Sequence, residues 1–161
     1  MNKGFFDTIF GRNKSDQIVF LVDGPNNIRK GVDIDLKKVK NELQKYGNIR
    51  IAKVYLDQYA SDKLIEAMVN QGLGVEITTG DVDVTMAVEA MEYIMEKDTD
   101  ILALMTRDTD FIPVLKKAKK YKKKTIVIAF DLAFSIALKN TADVIIVLKP
   151  TKHGIIEHIK N

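Results

Sequence analysis

Apolar runs of strand length alternate along the chain with longer stretches in which apolar residues recur every three or four positions. The first pattern is typical of buried β-strands and the second of amphipathic α-helices. The predicted strands cover about residues 18–23, 49–55, 74–78, 100–105, 125–130 and 143–148. The predicted helices cover about residues 35–46, 60–70, 83–97, 111–121 and 132–139.

This alternation predicts an α/β fold. Strands joined through helices form right-handed crossovers and therefore a mostly parallel sheet, which helices cover on both faces as a three-layer α/β/α sandwich. With 161 residues, 46% of them hydrophobic, the chain is long enough for one buried core and short for two. We therefore expect one domain.

Three segments are expected along the chain: an N-terminal appendage at residues 1–16, the domain at 17–149 and a C-terminal tail at 150–161. The appendage carries a short apolar stripe formed by Phe5, Phe6, Ile9 and Phe10. Such a stripe is expected to pack on the domain surface or on a second subunit, so a homodimer is one possible assembly.

The chain contains no cysteine, which excludes disulfides, thiolate catalysis and zinc-thiolate sites. The same absence favours a reducing, cytoplasmic location. The longest apolar runs are too short to cross a membrane as helices, and the N-terminus lacks the continuous apolar segment of a signal peptide. We expect a cytoplasmic protein with no membrane partner.

Aspartates follow the predicted strands or begin the predicted helices. Asp23 follows the first strand, Asp108 and Asp110 follow the fourth, and Asp83 begins the long third helix. The carboxyl ends of parallel strands lie at one edge of the sheet, where α/β proteins bind ligands. Four carboxylates at one edge repel one another and raise one another's pKa unless a cation lies among them. The pattern indicates a divalent-metal site.

Two of these aspartates also have a purely structural explanation. Asp83 and Asp110 each precede a helical stretch, where aspartate is a favoured N-cap residue. Asp23 is followed by a Gly-Pro turn that does not begin a convincing helix. Capping explains two acids but not four that converge, and the pair Asp108 and Asp110 exceeds what one helix start requires.

Other common sites are disfavoured. The two histidines, His153 and His158, are spaced so that they do not share a helix face, and histidine-bound zinc is not expected. A Gly-Leu-Gly sequence at residues 72–74 lacks the third glycine of a dinucleotide-binding loop, and no serine lies in a nucleophile-elbow motif. What remains is an oxygen-ligand site for Mg²⁺ or Mn²⁺, which suits phosphoryl chemistry.

Three motifs resemble those of the NYN (LabA-like) family of PIN-like nucleases. They are Asp23-Gly24-Pro25-Asn26, Gly80-Asp81-Val82-Asp83-Val84-Thr85-Met86 and Thr106-Arg107-Asp108-Thr109-Asp110-Phe111-Ile112-Pro113. The resemblance runs from about residue 18 to about residue 148, with the motifs in the family's order. It implies a PIN-like sheet with strand order 3-2-1-4-5, an acidic metal-binding pocket and action on RNA.

The resemblance also implies roles for individual residues. Asn26 would be the family's polar partner near the metal and the substrate. The catalytic residues that bind Mg²⁺ or Mn²⁺ would be Asp23, Asp83, Asp108 and Asp110. The chain departs from the family at two places: many members have Ser-Gly at positions 106–107, where this chain has Thr-Arg, and many carry a lysine shortly before Asp83.

The net charge of +3 is unevenly distributed, because seven lysines lie between residues 116 and 124. Without them the chain has 18 basic and 22 acidic residues, a net charge of −4. A helix that leaves the acidic edge ends at the opposite edge, so residues 119–124 are expected away from the metal. The basic residues expected near the mouth of the pocket, where they would contact substrate, are Arg29, Lys30 and Arg107. Of the block, only Lys116, with Lys117 as a second candidate, is expected to face a strand that approaches the pocket. The rest of the block either extends a nucleic-acid track or only solubilises the protein.

The sequence therefore predicts a metal-dependent ribonuclease that hydrolyses RNA phosphodiester bonds. Two alternatives stay open: a non-catalytic RNA-binding or regulatory NYN module, and a phosphatase-like hydrolase on a similar sheet. The haloacid type of phosphatase carries a second aspartate two positions after the first. This chain has Pro25 there, which disfavours that alternative.

Overall fold

A computed structural model describes residues 15–28, 35–130, 135–148 and 158–160. The strands are β1 (Gln17–Asp23), β2 (Asn48–Asp57), β3 (Gly74–Thr78), β4 (Ile101–Met105), β5 (Lys124–Phe130), β6 (Val144–Leu148) and β7 (His158–Lys160). They form one sheet in the order β3-β2-β1-β4-β5-β6-β7. Strands β1 to β6 are parallel, and β7 pairs antiparallel with β6.

Helices connect successive parallel strands. They are α1 (Gly24–Asn27), α2 (Leu36–Leu43), α3 (Asp62–Asn70), α4 (Val82–Met95), α5 (Ile112–Lys120) and α6 (Ile136–Thr141). A 3₁₀ turn at Thr109–Phe111 leads directly into α5. None of the described helices is both long and apolar enough to cross a membrane.

The predicted α/β class and strand order 3-2-1-4-5 are confirmed, and β6 and β7 extend the sheet beyond β5. Two elements were not predicted. The Gly-Pro sequence after β1 begins a single helical turn, α1, and β7 lies within the expected C-terminal tail. Of the predicted helix at 132–139, the structure describes the part within α6. The apolar stripe of the appendage lies outside the described residues.

The core lies on both faces of the sheet, and β1 shows how one strand serves both. Ile18, Phe20 and Val22 point to the face covered by α2 and α3, while Val19 and Leu21 point to the face covered by α4, α5 and α6. All five side chains are fully buried. A central strand that helices cover on both faces needs apolar residues at successive positions. The sequence of β1 accordingly shows a continuous apolar run.

Side chains just before the helices fix where the helices begin. Asp35 accepts a hydrogen bond from the Lys38 N–H at 3.3 Å, and Ser61 accepts one from the Leu64 N–H at 3.2 Å. Each such N-cap is worth about 1 kcal/mol. These caps place the helix starts one to two residues after the boundaries predicted from periodicity.

Helix α5 ends in a strained turn at Lys122, which has a φ of 60°. A side chain in this left-handed region costs about 1–2 kcal/mol, and glycine avoids the cost. Lys122→Gly is therefore expected to stabilise the protein by about 0.5–1 kcal/mol once the added freedom of the unfolded chain is subtracted. Urea denaturation measures this. Lys120→Gly, in the last turn of α5, is the matched control and should destabilise; a loss of stability in both variants would contradict the strain at Lys122.

Candidate functional site

Asp23 and Thr106 form the buried base of an acidic cluster at the carboxyl edge of the sheet. Asp23 is the last residue of β1, Thr106 follows the neighbouring strand β4, and both are 0% exposed. The Thr106 hydroxyl donates to Oδ2 of Asp23 at 3.2 Å and accepts the Asp108 N–H at 3.1 Å. This hydroxyl therefore links the carboxylate after β1 to the backbone after β4.

Asp83 lies in the first turn of α4 and faces the same cluster. Its carboxyl group is within hydrogen-bonding reach of the Asp108 and Asp23 carboxyl groups. Burial, followed by the hydrogen bond with Asp108 and the charge of Asp23, raises the pKa of Asp83 from 3.8 to about 7. Asp83 does not cap the helix, because its N–H donates to Oδ1 of Asp81 at 2.9 Å and Asp81 is the N-cap residue. The capping explanation of Asp83 is therefore wrong.

The turn after β4 carries Asp108 and Asp110. Oδ1 of Asp108 accepts the Asp110 N–H at 2.8 Å, so Asp108 caps the 3₁₀ turn and Asp110 does not. Asp110 is exposed, and its carboxylate makes no hydrogen bond or ion pair with a described residue. The structure thus places the carboxyl groups of Asp23 and Asp108 close to that of Asp83, and leaves Asp110 exposed on the turn that follows Asp108.

The structure describes the remaining predicted site residues to different extents. Arg29 and Lys30 lie outside the described residues, and for Asn26 only the backbone position in α1 is described. Arg107 is half-buried between Thr106 and Asp108, yet it forms no ion pair with any described residue. Lys116 is exposed on α5. Arg107 therefore has a guanidinium group that no described carboxylate neutralises.

The donor set of the cluster fits a hard divalent cation. All of its side-chain donors are carboxylate or hydroxyl oxygens, the ligands that Mg²⁺ and Mn²⁺ prefer. Within the described ranges, however, no three Asp, Glu, His or Cys side chains are arranged as a ready ligand group. Cation binding would therefore require these side chains to turn towards a common point.

A polar network fixes α4, and with it Asp83, against strand β2. The Tyr55 hydroxyl and Lys53 Nζ both donate to the Glu89 carboxylate, the lysine at 2.8 Å, and Lys53 also pairs with Glu76 at 3.1 Å. Burial alone would raise the pKa of Glu89, but the hydrogen bonds from Lys53 and Tyr55 lower it overall. Tyr55 of β2 lies opposite Asp23 of β1 in the sheet. The network therefore positions α4 relative to the strand end that carries Asp23.

The lysine block lies largely at the opposite edge of the sheet, and three of its members make structural contacts there. The contacts are Lys119 with Asp143 at 3.4 Å, Lys124 with Asp16 at 2.8 Å, and Lys123 with the backbone oxygens of Glu96 and Thr99 at 3.0 and 2.5 Å. These three lysines hold the amino-terminal edge of the sheet together.

A family model described as "NYN domain" matches residues 17–149, which is more than half of the chain. The chain belongs to the NYN domain family. NYN domains are members of the PIN-like nuclease families, generally act on nucleic acids and generally depend on divalent metals. The family predicted from the three motifs is confirmed.

Two similar proteins of unknown function extend this comparison. The NYN chain is 50% identical over 135 residues to the uncharacterized protein MJ0482 of Methanocaldococcus jannaschii. The alignment covers 84% of the chain and 56% of that protein, so the chain spans about half the length of the relative. A protein of unknown function from Vibrio parahaemolyticus, VPA0982, has a crystal structure with a TM-score of 0.73 at 20% identity, covering 89% of this chain and 98% of that one. The structural similarity to VPA0982 shows that the two proteins share a fold.

Sequence reasoning missed the roles of Thr106 and Asp81 in the NYN site. Thr106 was noted only as a departure from the family's Ser-Gly. The available signal was its place directly after a fully buried strand, because a buried hydroxyl needs a hydrogen-bond partner. For Asp81 the signal was the Asp-Val-Asp spacing, in which the first aspartate can cap the helix and release the second.

Proposed function

We propose that this chain is a metal-dependent ribonuclease that hydrolyses RNA phosphodiester bonds with Mg²⁺ or Mn²⁺. The observation that carries the proposal is the convergence of Asp23, Asp83 and Asp108 at the carboxyl edge of the sheet. When bound there, a divalent ion lowers the pKa of a water molecule and stabilises charge on phosphate oxygens. Family membership supports the same chemistry.

The roles of the chain's own residues follow from their positions. Asp23, Asp83 and Asp108 would hold the ion, with Asp23 kept in place by the Thr106 hydroxyl. Asp110, on the rim, would complete the ligand set or orient the attacking water. Asn26, which follows Asp23 by three residues, would be the polar contact to the ion or the substrate.

Basic side chains would orient the phosphodiester. Arg107 stands between Thr106 and Asp108 in the chain and makes no ion pair with a described residue, so its guanidinium group would be available for a bidentate contact with a phosphate. Phosphates further along the RNA strand would be contacted by Arg29, Lys30 and Lys116. Each such contact would add binding affinity that falls as the salt concentration rises.

The purified protein is expected to cleave single-stranded RNA in Mn²⁺ or Mg²⁺ and to be inactive in EDTA, because no other described group can activate water at neutral pH. Electrophoresis of end-labelled RNA measures this, and restoring the metal after EDTA should restore cleavage. Cleavage that continues in EDTA would contradict the proposed chemistry.

A second candidate function is a non-catalytic RNA-binding or regulatory module. One observation favours it: the acids of the described residues are not arranged as a ready ligand group. This candidate predicts that RNA binds but stays intact at every metal concentration. It also predicts that Asp23→Asn leaves RNA affinity unchanged, whereas the nuclease predicts loss of metal-dependent turnover.

A further inference from the structure

An apolar groove of about 350 Å³ lies between α4 and α5. The side chains that line it are Ala87, Val88, Met91, Pro113, Val114 and Lys117. Val88 is 55% exposed, and Val84 and Met95 on the same side of α4 are 60% and 58% exposed. A row of exposed aliphatic side chains beside an apolar groove indicates a binding surface.

The lining of the groove begins about one helical turn from Asp83 of the acidic cluster. Helices α4 and α5 both run from the carboxyl edge of the sheet to its amino edge, because each connects the end of one parallel strand to the start of the next. On α4, Asp83, Ala87 and Met91 are spaced by four residues and share a helix face. Met91 therefore lies about 12 Å from Asp83 along the helix. On the other wall, the turn that carries Asp110 leads straight into the lining residues of α5.

The charge of the groove is positive. Lys117 is its one charged lining residue, and this lysine makes no hydrogen bond or ion pair with any residue that the structure describes. It differs in this from Lys119, Lys123 and Lys124, whose ammonium groups are bound at the far edge of the sheet. An apolar channel with an available ammonium group complements a ligand that has flat apolar faces and negative charges.

We propose that this groove binds nucleobases of a single-stranded RNA next to the phosphate held at the acidic cluster, with Lys117 contacting a neighbouring phosphate. The inference rests on the ribonuclease function proposed above. Unpaired bases can lie between apolar side chains, and each phosphate contact adds salt-dependent affinity. A duplex keeps its bases inside the helix and cannot insert them, so the groove selects unpaired RNA.

A second copy of the chain is the competing occupant. Subunit interfaces have apolar centres depleted in lysine, whereas here Lys117 lines the groove and has no described partner. The lining of the groove also begins four residues after Asp83 on α4 and three residues after Asp110 on α5, so a subunit seated in it would lie beside the acidic cluster. Both observations favour RNA over a homodimer contact.

The test measures RNA binding by the full chain in EDTA, where a metal-dependent nuclease does not cleave. The probes are a short fluorescein-labelled oligouridylate and an abasic oligonucleotide of the same length, followed by fluorescence anisotropy. Val88→Glu is compared with Val69→Glu, because Val69 on α3 is also 55% exposed but lies across the sheet. Lys117→Gln is compared with Lys63→Gln on α3 across a salt series.

Val88→Glu is expected to weaken binding of the oligouridylate by roughly 10-fold or more, because a carboxylate replaces the apolar contact that the valine makes with a base, worth about two buried methylene groups. It should affect the abasic probe much less. Lys117→Gln should make the salt slope shallower by about 0.7, as expected for one lost phosphate contact. Val69→Glu and Lys63→Gln should change neither quantity. Equal weakening of both probes by Val88→Glu would overturn the proposal, since charge repulsion alone would then explain it.

Three further results separate this inference from the ribonuclease proposal and from a subunit interface. If the wild type cleaves RNA in Mn²⁺ while Val88→Glu binds both probes like the wild type, the groove proposal is wrong and the nuclease stands. If Val88→Glu turns a dimer into a monomer in sedimentation velocity without changing RNA affinity, the groove is a subunit interface and the proposal is likewise wrong. If base-dependent binding is lost in Val88→Glu but the wild type never cleaves, the groove stands and the nuclease fails.

Discussion

Replacing Asp23 with asparagine is expected to lower RNA cleavage at saturating RNA and Mn²⁺ by at least 10- to 100-fold, the loss seen when even outer partners of a metal site are removed. Asp23 is fully buried, and its carboxylate is the one that the Thr106 hydroxyl holds in place. Asparagine keeps the shape and can still accept that hydrogen bond, but it removes the negative charge. The initial rate of cleavage of a labelled RNA measures the effect.

Asp62→Asn is the matched control for this prediction, because Asp62 is an exposed aspartate in the first turn of α3, away from the cluster. It should leave the rate unchanged. Circular dichroism melting should show that the Asp23→Asn protein is folded. A folded Asp23→Asn protein with full Mn²⁺-dependent activity would rule out the acidic cluster as the catalytic site.

Replacing Asp83 with asparagine is expected to stabilise the metal-free protein at about pH 8 and to have little effect at about pH 4. The pKa of Asp83 is about 7 in the folded protein against an ordinary value of 3.8, so folding strengthens proton binding. Stability therefore falls as the pH rises from about 4 to about 7, where the unfolded chain has lost a proton that the folded chain keeps. Asparagine cannot ionise and escapes this loss.

Melting temperatures in EDTA across this pH range measure the Asp83 effect, with about 2–4 °C expected for each kcal/mol. Asp81→Asn is the control, since Asp81 is exposed and an asparagine there still caps α4. Saturating Mn²⁺ should raise the melting temperature of the wild type at about pH 8, because an ion that binds only the folded state stabilises it. If the melting temperatures of the wild type and Asp83→Asn changed with pH in the same way, the raised pKa of Asp83 in the folded protein would be contradicted.

The sheet and its acidic edge could be predicted from the sequence because both depend on local patterns. The central strands β1 and β4 are buried on both sides and therefore appear as unbroken apolar runs, and Asp23 and Asp108 follow them. Their convergence follows from parallel pairing alone. The boundaries of α2 and α3 were less accurate, since they depend on single capping contacts of Asp35 and Ser61.

Other features of the site were not predicted. Asp81 and Asp83 stand on either side of the start of α4, and Asp108 and Asp110 on either side of the start of the 3₁₀ turn. The Asp-x-Asp spacing allows the first aspartate of each pair to be the cap, and the structure shows that it is. Another feature depends on a contact between distant residues. The bridge from Thr106 to Asp23 joins residues 83 positions apart in the chain. By contrast, the direction of the helix did separate the lysines at 119–124, three of which make structural contacts, from Lys116 and Lys117 nearer the acidic edge.

The parallel course of α4 and α5 has an electrostatic consequence for the acidic edge. Both helices begin there, so the positive ends of their backbone dipoles point to the place where the carboxylates gather. The amino terminus of each helix carries the equivalent of about half a positive charge. These partial charges offset some of the repulsion among the acids before any ion binds, and they also attract an incoming phosphate. The backbone therefore provides a fixed positive field at the edge where the side chains are most negative.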